Sequence, residues 1–128
     1  MKLILSFFLM LSSIIALGQK SYYLSPTGND NNTGTITSPW FTLKKAWSSI
    51  ASGDTIYMRG GNYGYAIQQD LLNKNGTAAK PICLWAYPGE KPFITGASNY
   101  FFQIGVSTDL IYFEGSFVHF KGLEIANF

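Results

Sequence analysis

Seven carboxylates, one histidine, one cysteine and nine lysines and arginines are the side chains of this 128-residue chain that could carry acid–base, nucleophilic or metal chemistry. The carboxylates, Asp30, Asp54, Asp70, Glu90, Asp109, Glu114 and Glu124, are so dispersed that no two stand at a local ligand spacing, whereas calcium needs several oxygens at once. Asp30, Asn32 and Gly34 have the outline of a calcium loop with too few acids, and turn chemistry accounts for them better. His119, between Val118 and Phe120, is expected to face outward as a solvated or stacking residue, and a lone histidine does not make a metal site. Cys83 stands alone, which excludes an intramolecular disulfide and a cysteine-rich zinc site; within Pro81-Ile82-Cys83-Leu84-Trp85 it is expected to be a packed strand residue. Lys121, just before Gly122, is the one lysine worth naming as a general base, yet it has no acidic neighbours and an ordinary surface role is the default. There is no nucleophile elbow for a Ser–His–Asp hydrolase and no glycine-rich phosphate loop leading into a helix. No catalytic, cofactor-binding or metal residue is therefore assigned.

The elements that would position such groups begin after an export segment. Lys2 supplies a positive start, residues 3–11 an apolar run, and Ala16-Leu17-Gly18 a small-x-small cleavage motif, so residues 1–18 are expected to be a signal peptide cut before Gln19. The apolar run is interrupted by Ser6, Ser12 and Ser13 and is short for a membrane span, so no membrane attachment is expected after cleavage. The formal net charge of +2, with basic residues scattered, gives no electrostatic footprint for nucleic acid.

In residues 19–128, Ser21 to Ser25 reads as a leading strand ended by Pro26, followed by a turn-rich surface loop over 28–34. Ser38-Pro39 is expected to open the one convincing helix, with Ser38 as N-cap and Pro39 at the first position, where its missing N–H costs nothing. Trp40, Leu43, Ala46, Trp47 and Ile50 then form one apolar stripe, Lys44, Lys45, Ser48 and Ser49 the wet side, and Gly53 the left-handed stop. Lys74, Lys80 and Lys91 are expected in loops. Short strands follow over 55–59, 82–86, 93–95, 101–104, 110–113, 117–120 and 123–125, without helical segments between them. An antiparallel sandwich would suit that spacing. One detail favours a solenoid: Val118 and Phe120 share a face, and Leu123 and Ile125 keep to the same interior only if the alternation flips at Lys121-Gly122. Tyr112-Phe113-Glu114-Gly115 is expected to be a comparable corner.

Ser21-Tyr22-Tyr23-Leu24-Ser25-Pro26-Thr27-Gly28-Asn29-Asp30 and the stretch from Ala51 through Thr55-Ile56-Tyr57-Met58-Arg59-Gly60-Gly61 to Tyr63 resemble the opening of secreted right-handed parallel β-helix proteins. Those nearest in pattern are the pectate-lyase-like proteins around polysaccharide lyase family nine. Ala86-Tyr87-Pro88-Gly89-Glu90-Lys91-Pro92 is similar to the next stretch of that family, and Phe120-Lys121-Gly122-Leu123-Glu124-Ile125 to its first full rung. The resemblance implies an all-β fold, a right-handed parallel β-helix of which these residues are the N-terminal rungs, and gives the helix the role of a cap over the first one. It also implies cleavage of acidic polysaccharide by β-elimination, with calcium on an aspartate cluster and a lysine base in the full-length protein, both on later rungs. Calcium would acidify the C–H next to a uronate carboxylate, and a lysine of lowered pKa would take the proton.

The sequence thus leads to a secreted, extracellular, carbohydrate-active β-helix protein, truncated after Phe128, with acidic polysaccharide as partner and no active-site rungs. Self-association through the uncapped C-terminal rung is expected. The rivals are a non-enzymatic extracellular β-helix that binds or displays at the surface, and a β-helix glycoside hydrolase with paired carboxylates. In such proteins Arg59, beside Tyr57 on an outer face, could meet a sugar carboxylate through its planar fork, although shielding of the cap loop is the simpler use.

Overall fold

The computed structural model describes residues 18–96 and 111–126. The expected signal peptide up to residue 17, the strand expected over 101–104, Asp109 and the last two residues lie outside them. The described chain runs β1 (Ser21–Leu24), α1 (Leu43–Ser49), β2 (Thr55–Met58), β3 (Gly61–Tyr65), β4 (Gln69–Asn75), β5 (Ile82–Ala86), β6 (Pro92–Gly96), β7 (Ile111–Ser116), β8 (Val118–Lys121) and β9 (Glu124–Ile125). Every pairing between these strands is parallel. Three sheets result, ordered β1-β2-β5-β8, β3-β6-β9 and β4-β7. That order is a coil: β2, β3 and β4 make one turn, β5, β6 and β7 stack on it, and β8 and β9 begin a third. An antiparallel sandwich is ruled out, and the molecule is a parallel β-helix.

Alternation along each strand decides what lies inside. The registers align Tyr22, Ile56, Leu84 and Phe120 in one column, Leu24, Met58 and Ala86 in the next, and Tyr63, Ile94 and Ile125 on the second sheet. Ile56, Met58, Tyr63 and Ile94 are wholly buried, and the columns meet in one interior with Leu71 and Ile111 of the third sheet. Phe120 and Ile125 share that interior although they stand an odd number of residues apart, so the expected flip at Lys121-Gly122 is present. Gly122 makes it with φ of +72°, and a Cβ there would stand 3.0 Å from that of Ala86. The corner expected over 112–115 is not found, because those residues lie within β7. The irregularity is a register shift between Leu71 and Lys74 of β4, opposite Phe113 and Gly115, with Asn73 at φ of +57°.

Two strands have no counterpart in the sequence reading, β3 and β4. All of their inward residues but Leu71 carry polar tips: Tyr63, Tyr65 and Gln69 are buried, and Tyr63 and Tyr65 donate to the carbonyls of Arg59 and Phe41. Lys74, expected in a loop, sits in β4.

The helix is shorter than expected. Ser38 does not cap it; its N–H donates to Thr35 O, and Trp40 is extended, bridging to Leu24. Trp40 N donates to Tyr23 O and Ser25 N to Trp40 O, while Tyr23 N reaches Gly34 O, so this loop covers the open edge of β1. Thr42 is the N-cap, accepting from Lys45 N at 3.1 Å. Asp30 sets that boundary: its carboxylate accepts the N–H groups of Phe41 and Thr42 and, at 2.6 Å, the Thr42 hydroxyl. The start moved because a carboxylate twelve residues upstream outcompeted a local Ser-Pro signal. Gly53 takes a left-handed φ of +92°, but in a separate turn after the helix has ended at Ser49.

α1 covers the start of the coil, and β4 holds it at both ends. Gln69 Oε1 accepts Lys44 N at 3.1 Å in the first turn, Trp47 Nε1 donates to Leu72 O at 3.2 Å, and Lys74 Nζ donates to Ile50 O at 2.6 Å just past the last turn. Gln69 is fully buried, and its amide also donates to Ile67 O. Gln69→Leu fills the same space but strands the Lys44 N–H and the Ile67 carbonyl. We expect a loss of about 1–3 kcal/mol per unsatisfied group, read as a lower denaturant midpoint at unchanged slope. Trp47→Ala also removes the ring that packs edge-on against Phe113 at 5.7 Å, and about 3–5 kcal/mol is expected for it.

Candidate functional site

The side chains capable of chemistry are brought together on the outside of the four-stranded sheet. Because the strands are in register, the outward residues also form columns: Ser21, Thr55, Cys83 and His119 in one, Tyr23, Tyr57, Trp85 and Lys121 in the other. Tyr23 stacks on Tyr57 with centroids 5.7 Å apart, Tyr57 meets Trp85 edge-on at 6.2 Å, and Trp85 meets His119 at 6.2 Å. Lys121 places Nζ 5.5 Å from the centre of the Trp85 ring. Tyr87, just beyond β5, packs against Tyr57 and Tyr23 at 6.0 and 6.2 Å. The rings of this face are half-buried, while His119 and Lys121 are exposed.

Lys121 and His119 thus fall where the sequence places them, outward and at a corner, and neither makes an ion pair among the described residues. Cys83 is buried beside them; burial raises its thiol pKa, partly offset by a hydrogen bond to Thr55, which keeps it a packing residue. Arg59 does otherwise than free contact with a ligand would require. Its Nε and Nη2 grip both oxygens of Glu90 at 2.8 to 3.0 Å, and its guanidinium lies 4.8 Å over the Tyr87 ring. Glu90 also accepts Gly60 N at 2.6 Å, tying the corner after β2 to the corner after β5. The fork that could have met a sugar carboxylate, a use ranked below shielding of the cap loop, is filled by a protein carboxylate.

Three other carboxylates are spent on structure. Asp30 holds the helix start, Asp54 accepts the N–H groups of Lys20 and Ala51 at 2.9 Å each, and Asp70 pairs with Lys44 at 3.3 Å. Glu114 and Glu124 are exposed. Among the described residues no three His, Cys, Asp or Glu side chains converge as metal ligands do, so these residues do not fit a calcium site. An open pocket of about 350 Å³ lies at the third-coil end of the stack beside Leu84, Ile94, Phe113, Phe120 and Leu123. Its walls are almost wholly apolar, and it offers no convergent polar groups to a substrate.

Trp85, Tyr87 and Glu90 were not singled out from the sequence. Glu90 lies 31 residues from Arg59, and only a known coil length would have signalled the pair.

Residues 22–128 match the family model described as the Pel9A-like, right-handed β-helix region. The chain belongs to the Pel9A-like right-handed β-helix family. It is 40% identical over 74 residues to pectate lyase PEL9 of Emericella nidulans, covering 58% of this chain and 18% of that protein. It is 39% identical over 115 residues to pectate lyase L of Paenibacillus polymyxa, covering 89% of this chain and 24% of that protein. Among solved structures a rhamnogalacturonan lyase superposes with a TM-score of 0.68 at 28% identity, over 83% of this chain and 28% of that one. The chain therefore spans less than a quarter of the length of these two pectate lyases. It is a polysaccharide-lyase-like β-helix, and the Arg59–Glu90 clasp and the α1 cap are how its first coils are held.

The clasp carries a pH signature. Glu90 titrates below its ordinary 4.5, chiefly because Arg59 and then the Gly60 N–H stabilise the carboxylate. A depressed folded-state pKa contributes stability that is present above the unfolded value and is lost as pH falls through the folded one. Glu90→Gln should therefore lower the melting temperature near neutrality, with the gap from the parent narrowing as pH falls from 4.5 towards the lower folded-state value. Thermal melts of both proteins between neutral and acid pH check this.

Proposed function

We propose that this chain forms the N-terminal cap and first coils of an exported polysaccharide lyase that cleaves acidic polysaccharide by β-elimination. The observation that supports this most is the match of residues 22–128 to the Pel9A-like region, with pectate lyases among its relatives. Export is supported by Lys2, the apolar run after it and the Ala16-Leu17-Gly18 motif. No helix among the described residues is long and apolar enough to cross a membrane. The lyase reading entails calcium and a lysine base, which the proposal assigns to coils beyond the described ones. Here the described coils supply a rigid start to the solenoid. Phe117, Phe120 and Ile125 are 58, 48 and 38% exposed on the third coil. They are apolar surface that a further coil or a second copy would cover.

Two measurements test the proposal. Incubated with polygalacturonate, the 128-residue chain should release no unsaturated uronide, and the protein read on from the downstream gene sequence should release it. Saturated reducing ends alone from the longer protein would mean a hydrolase, and elimination products from the short chain would place the active site on the described coils; either result overturns the proposal. In sedimentation velocity, the processed chain of residues 19–128 should associate in a concentration-dependent way, and Phe120→Lys should reduce that association.

A further inference from the structure

The chain has one asparagine directly followed by glycine, Asn75-Gly76, and the fold uses both residues. Asn75 ends β4 in register with Ser116 at the end of β7. Its Oδ1 accepts the Ser116 N–H at 2.9 Å and the Ser116 hydroxyl at 2.8 Å, joining successive coils. Gly76 adds a third bond, donating its N–H to Ser116 O at 2.9 Å. It is buried, and a Cβ there would stand 2.5 Å from Phe117 O and 2.9 Å from Ile82 N, so the corner requires glycine.

The pair has a reactivity of its own. A residue without Cβ leaves its nitrogen open to the carbonyl carbon of the preceding side chain. Once the Gly76 nitrogen has given its proton to hydroxide, it attacks Asn75 Cγ: the N–Cγ bond forms, the Cγ–Nδ2 bond breaks, and Nδ2 leaves with a proton from water as ammonia. One water then opens the cyclic imide. Breaking one of its carbonyl–nitrogen bonds gives aspartate; breaking the other gives isoaspartate, whose main chain is longer by one methylene. In the closed seam Ser116 restrains both reacting groups, the Gly76 nitrogen through its carbonyl and the Asn75 side chain through its N–H and hydroxyl.

That seam is weakly held. β7 pairs with β4 alone, whereas β5 and β6 each have a strand on both sides. The pairing is broken by the register shift between Leu71 and Lys74. Phe117, next after Ser116, is held at φ of +52°, a left-handed conformation that is costly for a bulky side chain. Short, irregular edge pairings open locally while the rest of a protein stays folded. Asn75 is exposed, so water reaches it.

We propose that Asn75-Gly76 is a self-modification site: opening of the β4–β7 seam frees it to form isoaspartate, and the lengthened main chain then keeps the seam open. The added methylene moves Gly76 within a corner where Phe117 O and Ile82 N leave no room, so Ser116, and β8 after it, no longer dock in register.

The test follows the processed chain of residues 19–128 at mildly alkaline pH by peptide mapping. Unfolded in urea, it should show the mass gain of amide-to-acid conversion at residue 75 ahead of every other asparagine, with isoaspartate confirmed by an isoaspartyl methyltransferase. Folded, it should convert about tenfold more slowly or slower still. Gly115 stands opposite Lys74, and a Cβ there would lie 2.5 Å from Lys74 O. Gly115→Ala should therefore lift β7 from β4 and restore much of the urea rate, while the β2 amides keep their protection from deuterium exchange. Ser116→Ala, at an exposed position, removes the hydroxyl bond alone and should raise the rate about threefold. If Gly115→Ala unfolds the whole chain, Ser116→Ala decides. The isoaspartyl chain, isolated by ion exchange, should melt below the parent. Conversion as fast in the folded chain as in urea, variants no faster than the parent, or an isoaspartyl chain that melts with the parent overturns the proposal.

Discussion

The structure depends on parallel strands stacking in strict register, coil upon coil. A single coil of three short strands cannot bury its inward residues, because half of every inward side chain faces the next coil along the axis. Tyr22, Ile56, Leu84 and Phe120 are useful only as a column. The same constraint explains the exposure pattern: Leu84 is 1% exposed with a coil on either side, and Phe120, in register with it, is 48% exposed on the third coil. A residue's burial is set by its place in the stack and not by its type.

The beginning of such a stack needs a substitute for the missing coil. Here the substitute has two parts. The loop through Gly34 and Trp40 satisfies the free edge of β1 with backbone hydrogen bonds, and α1 seals the interior with Leu43, Ala46 and Trp47. A helix and a strand do not present the same hydrogen-bonding pattern, so the join is made by side chains. Gln69 and Lys74 of β4 reach the two ends of α1. Each fills a role that a neighbouring strand's backbone fills elsewhere in the coil, which is why polar side chains occupy positions where alternation would call for apolar ones.

That substitution also marks the boundary of what could be read from sequence. Strands whose inward residues are aliphatic, such as Ile56 and Met58 or Ile82 and Leu84, were legible from period two alone, and the flip at Lys121-Gly122 distinguished a solenoid from a sandwich. β3 and β4 were not, because Tyr63, Tyr65, Gln69 and Lys74 blur the alternation. The helix start was misplaced for a related reason. Ser38-Pro39 is a sound local signal, but Asp30 reaches Thr42 through tertiary structure, and no local rule sees it. Of the candidate site, the outward placement of Lys121 and His119 was legible. Their meeting with Trp85 was not, because cross-strand neighbours lie a whole coil apart, and a coil varies from 28 residues between Ile56 and Leu84 to 36 between Leu84 and Phe120.

The division between inward and outward columns bears on how chemistry is added to this architecture. Inward positions are coupled along the axis: a change in one coil alters the packing of two others. Outward positions on the same strands are coupled less tightly, through pairwise contacts such as Tyr23 on Tyr57. Yet the register still aligns them, so any outward group placed on one coil gains a neighbour about one strand spacing away. An oriented row of rings and charges is then a by-product of folding, at no extra cost in conformational entropy, because the backbone that orders it is already fixed by the core. The Arg59–Glu90 clasp and the Trp85–His119–Lys121 group are two outcomes of that single geometry. In the first, opposite charges on successive corners satisfy each other and tighten the coil. In the second, an exposed cation lies over an indole ring that a histidine meets edge-on, and neither basic group has a carboxylate partner among the described residues.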